Sequence, residues 1–173
     1  MEIEKAKVVD LNKLMPLFND YRTFYKRPID QNAEMFLSER LINNESVIFI
    51  AKDKDQFVGF VQLYPTFSSL PLGRTWILND LYVTPDYRRK KVAWNLISKT
   101  MEFAKETNAV FVSLSTQISN TSAQELYKKF GFKKDGDNRN IFDLVDRREA
   151  IHKAIELAAP GDVILLASKG AEQ

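Results

Sequence analysis

The order of segments predicts an α+β fold, a mixed sheet flanked by helices in three layers. Three observations carry this reading. Two helical stretches stand near the N-terminus. Three strand-like runs then follow one another across short turns, as in an antiparallel meander. After them a helix, a strand and a helix alternate, which brings a parallel crossing into the second half of the sheet. With 173 residues and 45% hydrophobic composition, the chain can bury one sizeable core, and two independent domains are not expected.

Taken in order, a short strand over Ile3 to Val8 leads to Asp10, a plausible N-cap, after which Leu11, Leu14, Phe18 and Tyr21 recur at helical spacing. Pro16 lies inside that pattern and predicts a kink or a late start, because a proline ring removes a helical hydrogen bond and crowds the preceding turn. A second helix is expected from Asn32 to Ile42, reached through a loop containing Lys26, Arg27 and Pro28. The runs SVIFIAKD, QFVGFVQLYP and RTWILNDLYV are the three strands, separated by KDKD and TFSSLPLG. A long helix from Arg89 to Thr107 follows, with Val92, Leu96, Met101 and Ala104 on one face. Then come a buried strand VFVSLST, a helix from Ser122 to Phe130, and short strands at Phe132 to Lys134 and Asn140 to Val145.

The tail has its own logic. Asp146 caps a helix whose Ile151, Ala154, Ile155 and Ala158 form one face, Pro160 and Gly161 stop it, and DVILLAS is a short apolar strand. The expected organisation is a main domain over 1–145 and a helix and strand extension over 146–173, packed on the same sheet because a unit that small buries too little area to fold alone.

Composition narrows the chemistry. A net charge of +2 is too small to point to nucleic acid or an anionic membrane as the main partner. The absence of Cys excludes disulfides and a thiol nucleophile, and fits a reducing cytoplasm. The single His152 argues against a zinc site, so no metal is expected. No run approaches the roughly 20 apolar residues of a membrane span.

The most informative segment is NDLYVTPDYRRKKVAWNL, where a strand ends at Val83 and a basic cluster of Arg88, Arg89, Lys90 and Lys91 opens a helix. Such a junction suits an anion: the first helical amides have no intrahelical acceptor, the helix dipole is positive there, and the basic side chains add attraction. A solvated turn is the other reading of four adjacent basic residues.

LYVTPDYRRKKVAWNLI resembles the acyl-coenzyme A pyrophosphate loop of the GNAT acetyltransferases, Arg or Gln, two variable positions, Gly, one variable position, then Gly or Ala; Arg88, Val92 and Ala93 fit in register. NTSAQELYKKFGF resembles the family's other signature through Asn120, Ala123, Leu126, Tyr127, Gly131 and Phe132. Two motifs in the right order, about 30 residues apart, are far more specific than either, and the resemblance spans residues 1 to 135.

The resemblance implies an N-acetyltransferase that moves an acetyl group from acetyl-CoA to a primary amine by direct attack. The acceptor is a small molecule or a protein amino group. Tyr127 stands where the family's phenol protonates the coenzyme A sulfur, Asn120 where a side chain contacts the pantetheine arm or a water, or simply starts a helix. Backbone groups of Leu81, Tyr82 and Val83 would pair with the pantetheine as another strand would. Asp80 is the candidate general base, acting through water. Strand alternation places its neighbour Asn79 on the opposite face. Tyr21, Phe24, Tyr25, Tyr64 and Phe67 either line an acceptor pocket or belong to the core.

Two departures stand out. Lys91 occupies the position of the family's first Gly, where a left-handed backbone would cost a side chain about 1–2 kcal/mol. The tail DRREAIHKAIELAAPGDVILLASKGAEQ looks like the end of the C-terminal domain of a Mur ligase, with ASKGAE in place of that family's AGKGHE-like motif. The alternatives to an active enzyme are therefore a catalytically impaired coenzyme A-binding module and an engineered chimera joined between Asp135 and Asp146.

Overall fold

The computed structural model describes residues 1–117 and 119–133. The chain divides into a unit over Met1–Ser115 and a second that begins at Thr116. In the first, five strands, β1 (Glu2–Lys5), β2 (Val47–Asp53), β3 (Gln56–Ser68), β4 (Gly73–Val83) and β5 (Phe111–Leu114), form one sheet in chain order. The first three pairings are antiparallel and β4 with β5 is parallel. The parallel step requires a crossover, and α3 (Val92–Glu106) supplies it.

The two faces of the sheet are covered by different helices. On one, Leu11, Leu14, Leu17 and Phe18 of α1 (Leu11–Phe24) and Ala33 and Leu37 of α2 (Ala33–Ile42) pack with Ile48, Ile50, Phe57, Phe60 and Tyr82. On the other, Phe103 of α3 stacks against Phe49 and Trp76 at centroid distances of 5.4 and 5.1 Å. Ile48 and Ile50 thus face α1 while Phe49 between them faces α3, the alternation a doubly covered strand demands. Leu14 and Leu37 are fully buried, and truncating either to Ala is worth about 2–5 kcal/mol.

Gly59 positions the next element. A Cβ there would meet the Tyr82 carbonyl oxygen at 2.8 Å and Val92 Cγ1 at 3.3 Å, so only glycine lets β3 lie this close to β4 and to the first residue of α3.

Several local expectations are corrected. α1 begins at Leu11 and continues through Pro16, so the proline neither delays nor divides it; its missing N–H leaves only the Asn12 carbonyl without that partner. Asp10 occupies the N-cap position, but its carboxylate accepts from the Lys7 amide at 2.8 Å rather than from the helix. The first strand ends at Lys5, and Val8–Asp10 is a 3-10 turn. The segment TFSSLPLG, read as a link, is half strand, since β3 runs to Ser68 and β4 starts at Gly73, which leaves only residues 69–72 as the turn. β5, expected to be buried, is exposed or half-buried along its length. The long helix starts at Val92, three residues later than expected, because Arg89 and Lys91 both have left-handed backbones that a continuing helix excludes.

In the second unit, α4 (Thr121–Lys129) is capped at its start by Asn120, whose side-chain oxygen accepts from the Ala123 amide at 3.2 Å. Gly131, at φ +83°, ends it: its amide donates to the Lys128 carbonyl at 2.9 Å and that of Phe132 to the Tyr127 carbonyl at 3.2 Å. These two bonds are a Schellman closure, and its accompanying apolar contact is the Tyr127–Phe132 ring pair, 5.8 Å between centroids. Phe132 and Lys133 belong to no strand, and the remaining expectations, the strand at Asn140 to Val145 and the tail from Asp146, lie outside the described residues.

Candidate active site

The site is built on a break in β4. β3 and β4 pair Gln62 with Asp80 and then Leu63 with Leu78, so Asn79 is one residue more than the ladder can match. The bulge inverts the alternation. Trp76 faces α3, where its ring meets Phe103, whereas Tyr82, six residues on and of the same parity, packs against Tyr21 and Phe60 on the α1 side. The expectation that Asn79 and Asp80 look to opposite faces fails for this reason. Both line one cavity of about 290 Å³, and Asn79 Nδ2 lies 3.0 Å from each Asp80 carboxylate oxygen.

That cavity lies between α1, α2 and the sheet. α1 contributes Phe18, Tyr21, Arg22 and Tyr25, the following loop Arg27, α2 Phe36, and β3 Tyr64. Asp80 is the one carboxylate among these lining residues and is itself buried. Tyr21 Oη donates to Asp80 Oδ1 at 2.5 Å, fixing the carboxylate from the helix side as Asn79 does from its own strand. Burial first, and the Asp80 charge second, hold the Tyr21 phenol far above its ordinary range. The same two causes push Tyr64 up to about 12, against a smaller opposing effect of Arg40, and raise Tyr25. At neutral pH these phenols keep their protons and can donate them in hydrogen bonds.

Of the aromatic set, Tyr21, Tyr25 and Tyr64 line the cavity, while Phe24 and Phe67 do not. Phe24 is exposed beneath the Arg88 guanidinium, 5.6 Å from its centroid, and Phe67 is exposed under Arg74.

Beyond Asp80, β4 runs into the basic turn. β5 pairs with β4 only over Thr75 to Leu78, so along Asn79 to Val83 that edge of β4 has no strand partner among the described residues. The Thr84 amide donates to the Val58 carbonyl at 3.0 Å, which sets the phase of the ladder: Tyr82 turns its backbone groups toward β3, and Leu81 and Val83 turn theirs to the open edge. The Val83 carbonyl accepts from Arg88 Nε at 3.2 Å.

A 3-10 turn at Pro85–Tyr87 then carries the chain to the start of α3, where the amides of Val92, Ala93 and Trp94 have no helical acceptor. Arg88, Arg89, Lys90 and Lys91 are all exposed around this point. Tyr87 holds the turn by donating to Asp53 Oδ2 at 2.9 Å, and Lys90 lies over its ring at 4.9 Å. Lys91 has φ +62°, so the position where the resemblance expects Gly does use the left-handed conformation. Edge backbone groups at Leu81 and Val83, the start of α3 and four exposed basic side chains follow one another along the chain, an arrangement suited to an anion.

A family model described as the acetyltransferase (GNAT) family matches residues 11–132. The chain belongs to that family. Among GNAT relatives, it is 45% identical over 136 residues to the uncharacterized N-acetyltransferase YhfO of Bacillus subtilis, a match covering 78% of this chain and 91% of that protein. It is 36% identical over 111 residues to a protein of Haemophilus influenzae described as a probable acetyltransferase, covering 63% and 76%. A crystal structure described as that of a probable acetyltransferase superposes with a TM-score of 0.77 at 40% identity, covering 84% of this chain and 99% of the other. The mixed five-stranded sheet flanked by helices is thus the GNAT fold. No helix among the described residues is long and apolar enough to cross a membrane, and no group of three or more His, Asp or Glu side chains among them could hold a metal ion.

Asp80, Tyr21, Tyr25 and Tyr64, singled out from sequence, meet in one cavity. Leu81 through Ala93 form the strand, turn and helix start. Tyr127 is buried near the end of α4, and Asn120 caps the same helix. Sequence reasoning missed Asn79 as a partner of Asp80, and it missed Gln62. A single amide in the apolar run FVGFVQLY was the available signal for the latter.

Proposed function

We propose that the protein transfers the acetyl group of acetyl-CoA to a primary amine by direct attack. The observation that carries this reading is Asp80, a buried carboxylate oriented by Tyr21 and Asn79 in an aromatic cavity on the strand that leads into the cationic turn.

In this reading the acceptor's ammonium enters among Tyr21, Tyr25 and Tyr64, whose ring faces attract a cation. It gives its proton to Asp80, directly or through a water, and the neutral nitrogen attacks the thioester carbonyl. The start of α3, with Arg88, Arg89, Lys90, Lys91, Val92 and Ala93, holds the pyrophosphate; Leu81 and Val83 offer backbone groups to the pantetheine, and the Tyr127 phenol protonates the departing thiolate. A cavity of about 290 Å³ suits a compact amine or one amine-bearing side chain better than a large ring system.

Two measurements test the proposal. A thermal melt with acetyl-CoA at about 100 times its dissociation constant should gain roughly 2.7 kcal/mol of stability. Thiol release with an amine panel should then fall by about 10²–10⁴-fold in Asp80→Asn while the acetyl-CoA-induced shift in the melt remains. Loss of that shift with the wild-type protein would count against the cofactor site. Retention of the shift without turnover of any amine would favour a coenzyme A-binding module.

The tail is a separate proposal. We read 146–173 as an extension of the 1–145 domain with a Mur-ligase-like sequence, its origin either an engineered chimera or a natural fusion or drifted paralogue. Proteolysis that removes the residues after Val145 and leaves the melting temperature unchanged would argue against packing of the tail on the sheet.

A further inference from the structure

The side chain of Gln62 is fully buried, yet neither its Nε2 nor its Oε1 has a hydrogen-bond partner. Buried amides are almost always partnered, and each orphaned group is costly in a core. Its surroundings explain neither atom. Across β2 it faces Ile48, and two residues along β3 on either side stand Phe60 and Tyr64. Across β4 it faces Asp80 directly, on the same side of the sheet, where cross-strand Cβ atoms lie about 5 Å apart. Gln62 is also the last residue in register before the bulge, the point where the ladder steps from Asp80 to Leu78.

We propose that Gln62 is a positioning residue for Asp80, its amide and the carboxylate sharing one ordered water between the two paired strands. A carboxylate has about four acceptor positions, and Tyr21 and Asn79 approach it from the helix side and along its own strand. Gln62 approaches from the neighbouring strand. An amide suits this place because it is both donor and acceptor: it can direct a water's proton toward the carboxylate without adding charge. A methionine of similar length would fill the same volume without polar atoms, so packing alone does not call for an amide here. The functional meaning of this inference rests on the acetyl-transfer reading; the Gln62–Asp80 link itself does not.

Other charged and titratable groups face Asp80: Tyr21, Arg22 and Tyr25 from α1, Arg27 from the loop after it, Tyr64 from β3 and Tyr82 further along β4, with Arg40 of α2 acting on Tyr64. None of them changes in a Gln62 variant, which isolates the contribution of the amide.

The test follows the carboxylate itself. In wild-type protein, the Gln62 side-chain amide resonances should move with the same midpoint as the Asp80 carboxyl carbon, the latter assigned by its loss in Asp80→Asn. In Gln62→Met the Asp80 midpoint should rise by about one pH unit, since a donor to the charged form is gone, while the melting temperature stays equal or increases. With an acceptor in hand, the acid limb of kcat/KM should rise with it. Gln62 resonances that stay fixed through the Asp80 titration overturn the proposal even if Gln62→Met does not fold, and so does an unchanged Asp80 midpoint in a folded Gln62→Met. Absence of acetyl transfer in wild type would instead sink the functional reading, and leave the resonances to decide the link.

Discussion

Tyr21 reaches from α1 to β4 and donates its phenolic proton to Asp80 at 2.5 Å, joining two residues 59 positions apart in the chain. One hydrogen bond thus ties the first helix to the strand that carries the candidate base. Tyr21→Phe keeps the ring contacts with Phe18, Phe60 and Tyr82 and removes only the donor. Denaturant unfolding should show a loss of about 1–3 kcal/mol, because Asp80 remains buried with one partner fewer. The ionised carboxylate is the form that loses support, so the acid limb of kcat/KM should move to higher pH.

Lys91 separates conformation from charge. At φ +62° the residue carries strain that glycine lacks, so Lys91→Gly should gain up to about 1 kcal/mol in chemical denaturation, less whatever the more flexible unfolded chain takes back. Lys91→Ala keeps the strained backbone and should show no such gain. Equal stabilities for the two variants would mean that the left-handed turn is not a source of strain.

Tyr127 and Phe132 pack across the closure of α4, so a phenyl ring at 127 preserves the helix end. Tyr127→Phe should therefore melt like wild type. If the phenol protonates the thiolate, turnover should drop by about 10²-fold or more at unchanged acetyl-CoA affinity.

The phenols of the cavity give a prediction at high pH. Tyr64 is held up to about 12 and Tyr21 higher still by burial and the Asp80 charge, whereas an unfolded tyrosine ionises near 10. The stability they support is fully present below pH 10, and it declines above that as the unfolded state loses protons that the folded state keeps. Ultraviolet titration of the native protein should show two tyrosines that resist ionisation until after the exposed ones. Simultaneous ionisation of all tyrosines would contradict the buried hydrogen-bonded arrangement.

Much of the architecture was legible because its signals are local. The spacing of Leu11, Leu14 and Phe18, the three strand-like runs, and the basic turn before Val92 each report on a neighbourhood of a few residues. What the sequence hid depends on pairing between distant segments. That Asn79 shares a cavity with Asp80 follows from a register step against Gln62 and Leu63, and no alternation rule applied to β4 alone can find it. The exposure of β5 and the continuity of α1 through Pro16 are likewise decided by what packs where, which outweighs local propensity. Lys91 stands in the sequence where the family pattern has Gly, but only the backbone angle shows that the left-handed turn is used.

The extra residue in β4 can also be viewed as a dislocation in an otherwise regular lattice. Upstream of it the even-numbered side chains serve the α3 layer, and downstream they serve the α1 layer, so the strand changes phase at the point where Asp80 enters the cavity. A single-residue deletion at Asn79 would then heal the ladder, joining Leu78 directly to Asp80 opposite Leu63 and Gln62. Trp76 and Tyr82 would keep their layers, five residues apart on a regular strand, and what Asp80 would lose is the Asn79 amide beside its carboxylate. The extra residue therefore serves the cavity and not the packing of the strand, since removing it takes an amide from Asp80 and nothing from either layer.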